Sequence, residues 1–196
     1  MSKDLLLEIG TEEIPAHYMP SILSQVRDLA GKSFGESHIA YESNRTLGTP
    51  RRIALIMKGV AEKQADVSAK HKGPSVKIAY DADGNPTKAA MGFARGKGVD
   101  VNDLVVEDGY IYAETTTAGV PAMKIFEEVL PQLLTGLSFP KSMHWADRDE
   151  KFVRPVRWLL ALLDTAVVPM EFAGVRASNF SRGHRFLHDR QVWISA

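Results

Sequence analysis

The chain has 196 residues, with 24 basic and 24 acidic side chains and no cysteine. This length can bury a hydrophobic core without crosslinks, and the lack of cysteine excludes disulfides and thiolate metal sites. Because nucleic-acid-binding modules are usually strongly basic, the balanced charge restricts such a function to local patches. The longest unbroken apolar run, Trp158–Leu163, is too short for a membrane span, and Asp4 and Glu8 argue against a signal peptide. We therefore expect a soluble, cytoplasmic protein.

The first third of the chain predicts a strand, a helix and a second strand. Lys3–Ile9 is a short apolar run, typical of a buried strand. Pro20 favours a helix start. Apolar residues then recur at helical spacing to Phe34, with Gly35 as the expected stop. Alternating apolar residues over Arg52–Val60 indicate the second strand.

The segment Lys70–Gly98 is rich in turn signals, with Gly73-Pro74 followed by Asp81–Pro86. A short helix is predicted after Pro86, ending at the glycines of GFARGKG. That motif lacks the spacing of a Walker A phosphate loop. It is better explained as a helix C-cap whose exposed Arg95 and Lys97 could contact a nucleic-acid backbone. The segment carries six basic and two acidic side chains, a local net charge of +4.

The second half of the chain predicts a hairpin, a helix and another hairpin. These elements are Val105–Thr117 with its turn at 107–109, the amphipathic helix Pro121–Leu134, and Trp158–Leu163 joined through Asp164-Thr165 to Ala166–Phe172. Strands and helices mix without regular alternation, so the predicted class is α+β, with a mixed sheet and packed helices.

Two pairs of titratable residues are candidate sites of chemistry. Glu12 and Glu13 are adjacent and point in different directions on a helix or strand, so they are better explained as partners of a helix dipole than as a catalytic pair. His184 and His188 are four apart, but a hydrogen-bonded pair is favoured over a zinc site because Gly183 precedes them and the segment is not helix-like. No complete catalytic constellation is present.

Basic and aromatic residues interleave over Phe139–Asp164, a mixture that suits RNA because bases stack on rings and phosphates pair with cations. An ion-paired strand using Asp147, Asp149 and Glu150 explains the composition equally well. Residues 176–190 hold four arginines and one acid. The candidate RNA contacts are Arg95, Lys97, Lys141, Arg154, Arg157, Arg182 and Arg185. As the alternative, Arg154 or Arg157 is structural and bonds loop carbonyls or nearby acids.

Five motifs occur in order along the chain: LLLEIGTEEIP, TPRRIAL, KGPSVKIAYDADGNPTKAAMGFARGKGV, FPKSMHWADRDEKFVRPVRWLLALL and SRGHRFL. From Leu5 to about Leu187, the chain resembles the N-terminal part of the β subunit of bacterial glycyl-tRNA synthetase, the α2β2 type. His144 departs from that family's PK-x-MRW pattern, in which arginine is expected. The strand-like ending Gln191–Ala196 also suggests part of a longer protein.

The resemblance implies a single domain over residues 1–196, similar to the B3/B4 tRNA-editing-type domain of the phenylalanine enzyme. The whole ligase would attach glycine to its tRNA with ATP at the α subunit. This chain would then hold no cofactor, metal or catalytic residue. Its partners would be the α subunit, glycine tRNA and the rest of the β chain, with neither membrane nor DNA. Glu12 and Glu13 would belong to a family signature at a strand-to-helix turn, structural or contacting a subunit.

Two other functions stay open on the sequence. One is an editing hydrolase acting on mischarged tRNA, suggested by fold analogy. The other is a scaffold that holds the β subunit together or docks the α subunit. A basic concave pocket with convergent polar groups would favour editing, whereas a flat apolar patch would favour the scaffold.

Overall fold

The computed structural model of the chain describes residues 2–81, 83–145 and 150–195. The chain divides into two compact units, Met1–Gln64 with Val120–Ala196, and Ala65–Gly119. Each unit has its own hydrophobic core. The predicted α+β class with a mixed sheet is confirmed. The single B3/B4-like domain over residues 1–196 stays a prediction.

Strands and helices follow one another in an irregular order. The strands are β1 (Ser2–Thr11), β2 (Ser43–Thr49), β3 (Arg52–Ala61), β4 (Val67–Ser75), β5 (Val105–Glu107), β6 (Tyr110–Thr117), β7 (Val156–Leu163), β8 (Ala166–Val167), β9 (Glu171–Phe172), β10 (Val175–Ser178), β11 (Phe180–Arg182) and β12 (Gln191–Trp193). The helices are α1 (Met19–Glu36), α2 (Val76–Ala79), α3 (Lys88–Lys97) and α4 (Ala122–Thr135), with 3-10 turns at Ala16–Tyr18 and Val101–Asp103.

The first unit is built on a sheet in the order β2-β3-β1-β7-β10-β9. In its centre, Leu7 of β1 lies opposite Leu55 of β3 and Ala161 of β7. These three side chains share one face of the sheet and are fully buried in a core that also contains residues of α1 and α4. Phe34 of α1 stacks on Phe126 of α4 with ring centroids 4.9 Å apart. Two helices therefore cover this face of the sheet.

Alternation along the strands sends a different set of residues to the other face. Gly10 lies opposite both Arg52 and Trp158, and Glu8 is two positions earlier on β1. A short two-stranded ladder, β11 with β12, follows β10 in the chain. Ser181 of β11 is 7% exposed and bonds Glu8, so this ladder lies on the face away from the helices.

The second unit is an antiparallel sheet in the order β4-β6-β5, packed against α2 and α3. Its core is small and rich in alanine, with Ile111 of β6 fully buried at the centre. Gly73 lies in a bulge of β4, where an added Cβ would come within 2.7 Å of the Phe93 ring. The glycine thus lets α3 approach the sheet.

Most sequence-predicted elements are confirmed: β1, α1, β3, α3, the β5–β6 hairpin, α4, β7 and the strand beginning at Gln191. The predicted hairpin strand Ala166–Phe172 is confirmed only in part, because Ala166–Val167 alone pairs with β7, whereas Glu171–Phe172 pairs with β10. The prediction that Gly35 stops α1 is wrong. Gly35 is helical, α1 continues to Glu36, and the left-handed residue is His38, at φ 51°. The amides of His38 and Ile39 close the helix by bonding the carbonyls of Gly35 and Phe34. Within the described residues, no helix combines the length and apolar composition needed to cross a membrane.

Candidate functional site

The carboxylate of Glu8 is buried beneath a cluster of polar residues. Its Oε1 accepts hydrogen bonds from Trp158 Nε1 at 2.7 Å and from Ser181 Oγ at 2.5 Å. Its Oε2 lies 3.2 Å from Arg52 Nε, an ion pair without a directed hydrogen bond. A charge that is only 8% exposed needs such partners. Glu8 therefore joins three strands that are distant in sequence, β3, β7 and β11.

Trp158 and Arg52 are fixed by more than Glu8. The indole lies directly against Gly10, where an added Cβ would be 1.9 Å from Trp158 Cδ2. The Arg52 guanidinium lies 5.7 Å from the centroid of the Trp158 ring and also donates to the carbonyl of Arg182. The sheet face away from the helices thus carries a fixed group of side chains, Glu8, Arg52 and Trp158, which we call the Glu8 platform.

Glu12 lies between three arginines. Its carboxylate is 3.3 Å from Arg157, 3.7 Å from Arg185 and 3.8 Å from Arg51. The interpretation of Glu12 and Glu13 as helix-dipole partners is wrong, because neither α1 nor the preceding 3-10 turn has an acidic residue in its first turn. The acids instead act as partners of arginines.

A β-bulge sets this geometry. The register of β1 with β7 shifts between Gly10 and Thr11, so that Trp158 and Val156 pair and the intervening Arg157 does not. Bulges commonly redirect a side chain in this way. Arg157 is thereby presented to Glu12 at the rim of the platform.

The structure places Arg154 beside the same loop through backbone contacts. Its Nε donates to the Glu13 carbonyl at 3.0 Å, and its Nη1 donates to the Val153 carbonyl at 2.9 Å. Backbone carbonyls of this kind are the partners expected if Arg154 has a structural role. Asp147 and Asp149, considered as acidic partners, lie outside the described residues.

A cavity of about 480 Å³ opens above the platform. The described residues that line it are Glu13, Thr49, Pro50, Arg51, Arg52, Trp158, Arg182, Gly183, His184, Arg185 and Phe186. Arg182, unlike Arg185, has no carboxylate partner within the described part of the chain. The cavity is thus concave, cationic and partly aromatic.

Of the predicted contact residues, Arg154, Arg157 and Arg185 meet at the Glu12–Glu13 loop, and Arg182 lines the cavity with Arg185. Lys141 is exposed in a loop of the first unit. Arg95 and Lys97 belong to the second unit, in the last turn of α3, which Gly98 caps at φ 71° as predicted. Whether any of the seven contacts tRNA stays a prediction.

The two histidines have structural roles in a turn. His184 Nδ1 accepts from the amides of Phe186 and Leu187, each at 3.2 Å. The amide of His188 donates to the His184 carbonyl at 2.8 Å. Among residues 2–81, 83–145 and 150–195, no group of three or more His, Asp or Glu side chains is arranged to hold a metal ion.

Sequence reasoning missed Glu8, Arg51, Arg52 and Ser181 as parts of this site. A signal was present for Glu8, since a carboxylate within the apolar run LLLEIG must find partners if the strand is buried. Nothing in the sequence indicated which partners, because Trp158 and Ser181 lie 150 and 173 positions away.

Known proteins are similar to this chain over almost its whole length. A family model described as glycyl-tRNA synthetase beta subunit matches residues 5–196. The glycine–tRNA ligase beta subunit of Desulfitobacterium hafniense (strain Y51) is 49% identical over 191 residues, which cover 95% of this chain and 28% of that protein. The subunit of Citrifermentans bemidjiense is 48% identical with the same coverage. That of Desulforamulus reducens is 46% identical over 199 residues, covering 100% of this chain and 29% of the relative.

Proposed function

We propose a function from one established premise: the chain belongs to the glycyl-tRNA synthetase beta subunit family. The chain spans about 28% of the length of the curated relatives that it matches. It serves as the N-terminal part of a glycine–tRNA ligase β subunit and supports tRNA binding and subunit architecture. The complete ligase, an aminoacyl-tRNA synthetase of protein biosynthesis, attaches glycine to tRNA with ATP.

One observation supports the tRNA-binding role: arginines converge on one region of an otherwise neutral chain. Glu12 is the partner of three arginines, one of which, Arg185, also lies 3.8 Å from Glu13, so two carboxylates offset only part of the charge of the three. Arg182 adds a further cation at the cavity. The planar guanidinium pairs well with phosphate oxygens, and phosphate contacts generally position a protein on nucleic acid.

The remaining parts of the proposal follow from the family. Glycine activation and ATP binding belong to the α subunit, and this chain holds no cofactor. Its partners are the α subunit, glycine tRNA and the rest of the β chain, in the cytoplasm. The fold is a B3/B4-like domain, for which the mixed α+β architecture provides support at the level of class. The family matches favour this function over an editing hydrolase or a scaffold alone.

The test replaces Arg154, Arg157, Arg182 and Arg185 by alanine in the complete ligase and measures tRNA affinity across a salt series. Each lost phosphate contact should weaken binding and lower the slope of log affinity against log salt by about one. A matched control replaces four exposed cations elsewhere in the first unit: Arg27, Arg45, Arg176 and Lys124.

Because Arg154 bonds two backbone carbonyls, its loss could reduce stability without touching RNA. A triple variant that keeps Arg154 separates the two effects, and thermal melts report the stability of every variant. Unchanged tRNA affinity and salt slope in the triple and quadruple variants would contradict the tRNA-binding role.

A further inference from the structure

The cavity above the Glu8 platform has the charge of an anion site. Four arginines and one carboxylate are among its described lining residues. Glu8, which pairs with Arg52, lies buried beneath the cavity, and Glu12 is shared with Arg157 outside it. Cations therefore exceed acids around the cavity, and a fixed group of guanidinium donors favours a phosphate or carboxylate ligand.

The same cavity has an aromatic wall. Phe186 is 81% exposed, and Arg185 lies 5.7 Å from the centroid of its ring. Trp158 also lines the cavity from the platform below. A large exposed aromatic ring beside a cationic recess is suited to stack a planar ring of a ligand.

The cavity is partly organised before any ligand enters. Glu8 holds Arg52 and Trp158, and Arg52 donates to the carbonyl of Arg182. Arg51 is held by Glu12 at 3.8 Å and by the Thr11 carbonyl at 3.3 Å. Donors that are already fixed lower the entropic cost of binding. A volume of about 480 Å³ lies in the range of small-molecule sites and suits one nucleotide, not a duplex.

We propose that this cavity binds one nucleotide, with its phosphate on the arginines around Arg182 and its base stacked on Phe186. The chemistry is that of a nucleoside monophosphate, which can come from a free nucleotide or from an unpaired nucleotide of RNA. The RNA source rests on the proposed tRNA-binding function, whereas the free nucleotide does not.

The test titrates adenosine 5′-monophosphate by calorimetry into the complete polypeptide that carries this chain, without its α subunit. Arg182→Ala and Phe186→Ala should each weaken binding at least about fivefold, since one stacked base or one charge-assisted contact is worth about that factor or more. Arg176→Ala and Leu187→Ala are the matched controls. Arg176 pairs with Glu171, Leu187 is 84% exposed, and neither lines the cavity.

The second arm adds glycine tRNA to the nucleotide-bound protein. Displacement of the nucleotide in both the native chain and Arg176→Ala identifies RNA as the source. Nucleotide binding without displacement identifies a free nucleotide. Either result supports the proposal that the cavity binds a nucleotide. Failure to bind the nucleotide at millimolar concentration, or equal binding by all variants, overturns it. Separate measurement of tRNA affinity in the complete ligase distinguishes that failure from failure of the tRNA-binding role.

Discussion

Trp158 can lie against the backbone of β1 because position 10 has no side chain. The clash that a Cβ would create there, 1.9 Å from the indole, involves a ring that Glu8 holds by a hydrogen bond. A ring bonded at its edge and packed at its face cannot move away cheaply. The glycine at position 10 therefore permits the close packing of Trp158 against β1.

We expect Gly10→Ala to lower the free energy of unfolding by about 1–3 kcal/mol or more, as for overpacked cores. Gly92→Ala is the matched control, because in α3 the added Cβ would meet no atom within 4 Å apart from its chain neighbours and its own helix backbone. That change should raise stability by about 0.5–1 kcal/mol through helix propensity. Urea unfolding of both variants checks the pair, and equal effects would contradict the packing argument.

Asp4 gives the first unit a defined response to acid. It lies opposite a β3 bulge at Lys58 and Gly59, and it accepts from the Lys58 ammonium and, at 3.4 Å, from the Gly59 amide. The hydrogen bond from Lys58 lowers the pKa of Asp4 below its ordinary value of 3.8. A lowered folded pKa stabilises the fold above 3.8, and this contribution is lost as pH falls through the lowered value.

Asp4→Asn should therefore be less stable than the native chain by a constant amount above about pH 5, and the difference should shrink in more acid solution. Thermal or urea unfolding between pH 7 and about pH 2 measures it. In a Lys58→Met background, the pH dependence of the difference should be smaller. A difference that widens as pH falls would contradict the assignment.

The amino-acid sequence predicts those helices and strands that bury a clear apolar pattern. β1, α1, β3, α4 and β7 are each identified by their own residues, because each buries one continuous apolar face or stripe. β2 and β4 were not predicted. Both lie at sheet edges and contain no buried residue, so their strand structure depends on pairing with β3 and β6.

The apolar spacing in α4 predicts that Ile125, Val129 and Leu133 pack against a sheet, with Phe126, Leu130 and Leu134 forming a parallel stripe. In the structure the second stripe is the more deeply buried of the two. Phe126, Leu130 and Leu134 are fully buried, and Leu133 is 2% exposed. Ile125 and Val129 are only partly buried against the core. The helix thus turns the stripe of Phe126, Leu130 and Leu134 toward the core, where Phe126 contacts Phe34 of α1.

Leu133→Ala should cost about 2–5 kcal/mol, because it leaves a cavity in a closed core. Val129→Ala is the comparison on the same helix and should cost less, since Val129 keeps part of its surface in water and loses fewer methyl groups. Denaturant unfolding with an unchanged m-value would show that both changes act on the folded core. Equal losses would mean that the buried face is misassigned.

For the whole molecule, the sequence indicated the family and the α+β class but not the site. The motifs that carry the family resemblance lie along the chain, whereas the site joins Glu8, Trp158 and Ser181 across the fold. Pairing of strands at such separations depends on the complete sheet. Local sequence patterns do not indicate which distant strands will pair.

At this scale we expect the 196-residue chain alone to catalyse no glycine-dependent exchange of pyrophosphate into ATP. The reason is that no complete catalytic constellation or nucleotide-triphosphate motif was found in its sequence. The assay compares the purified chain with the assembled ligase as the positive control. Clear exchange by the chain alone would place amino-acid activation on this polypeptide.

The division of the first unit into Met1–Gln64 and Val120–Ala196 has a consequence for synthesis on the ribosome. β1 is made before β7, and Glu8 must wait for Trp158, which is 150 positions later. At about 5–20 residues per second, that delay is on the order of ten seconds. The contiguous second unit is complete before then. During this interval the edge of β1 that pairs with β7 in the folded chain has no partner strand, and unpaired strand edges of this kind favour misassembly.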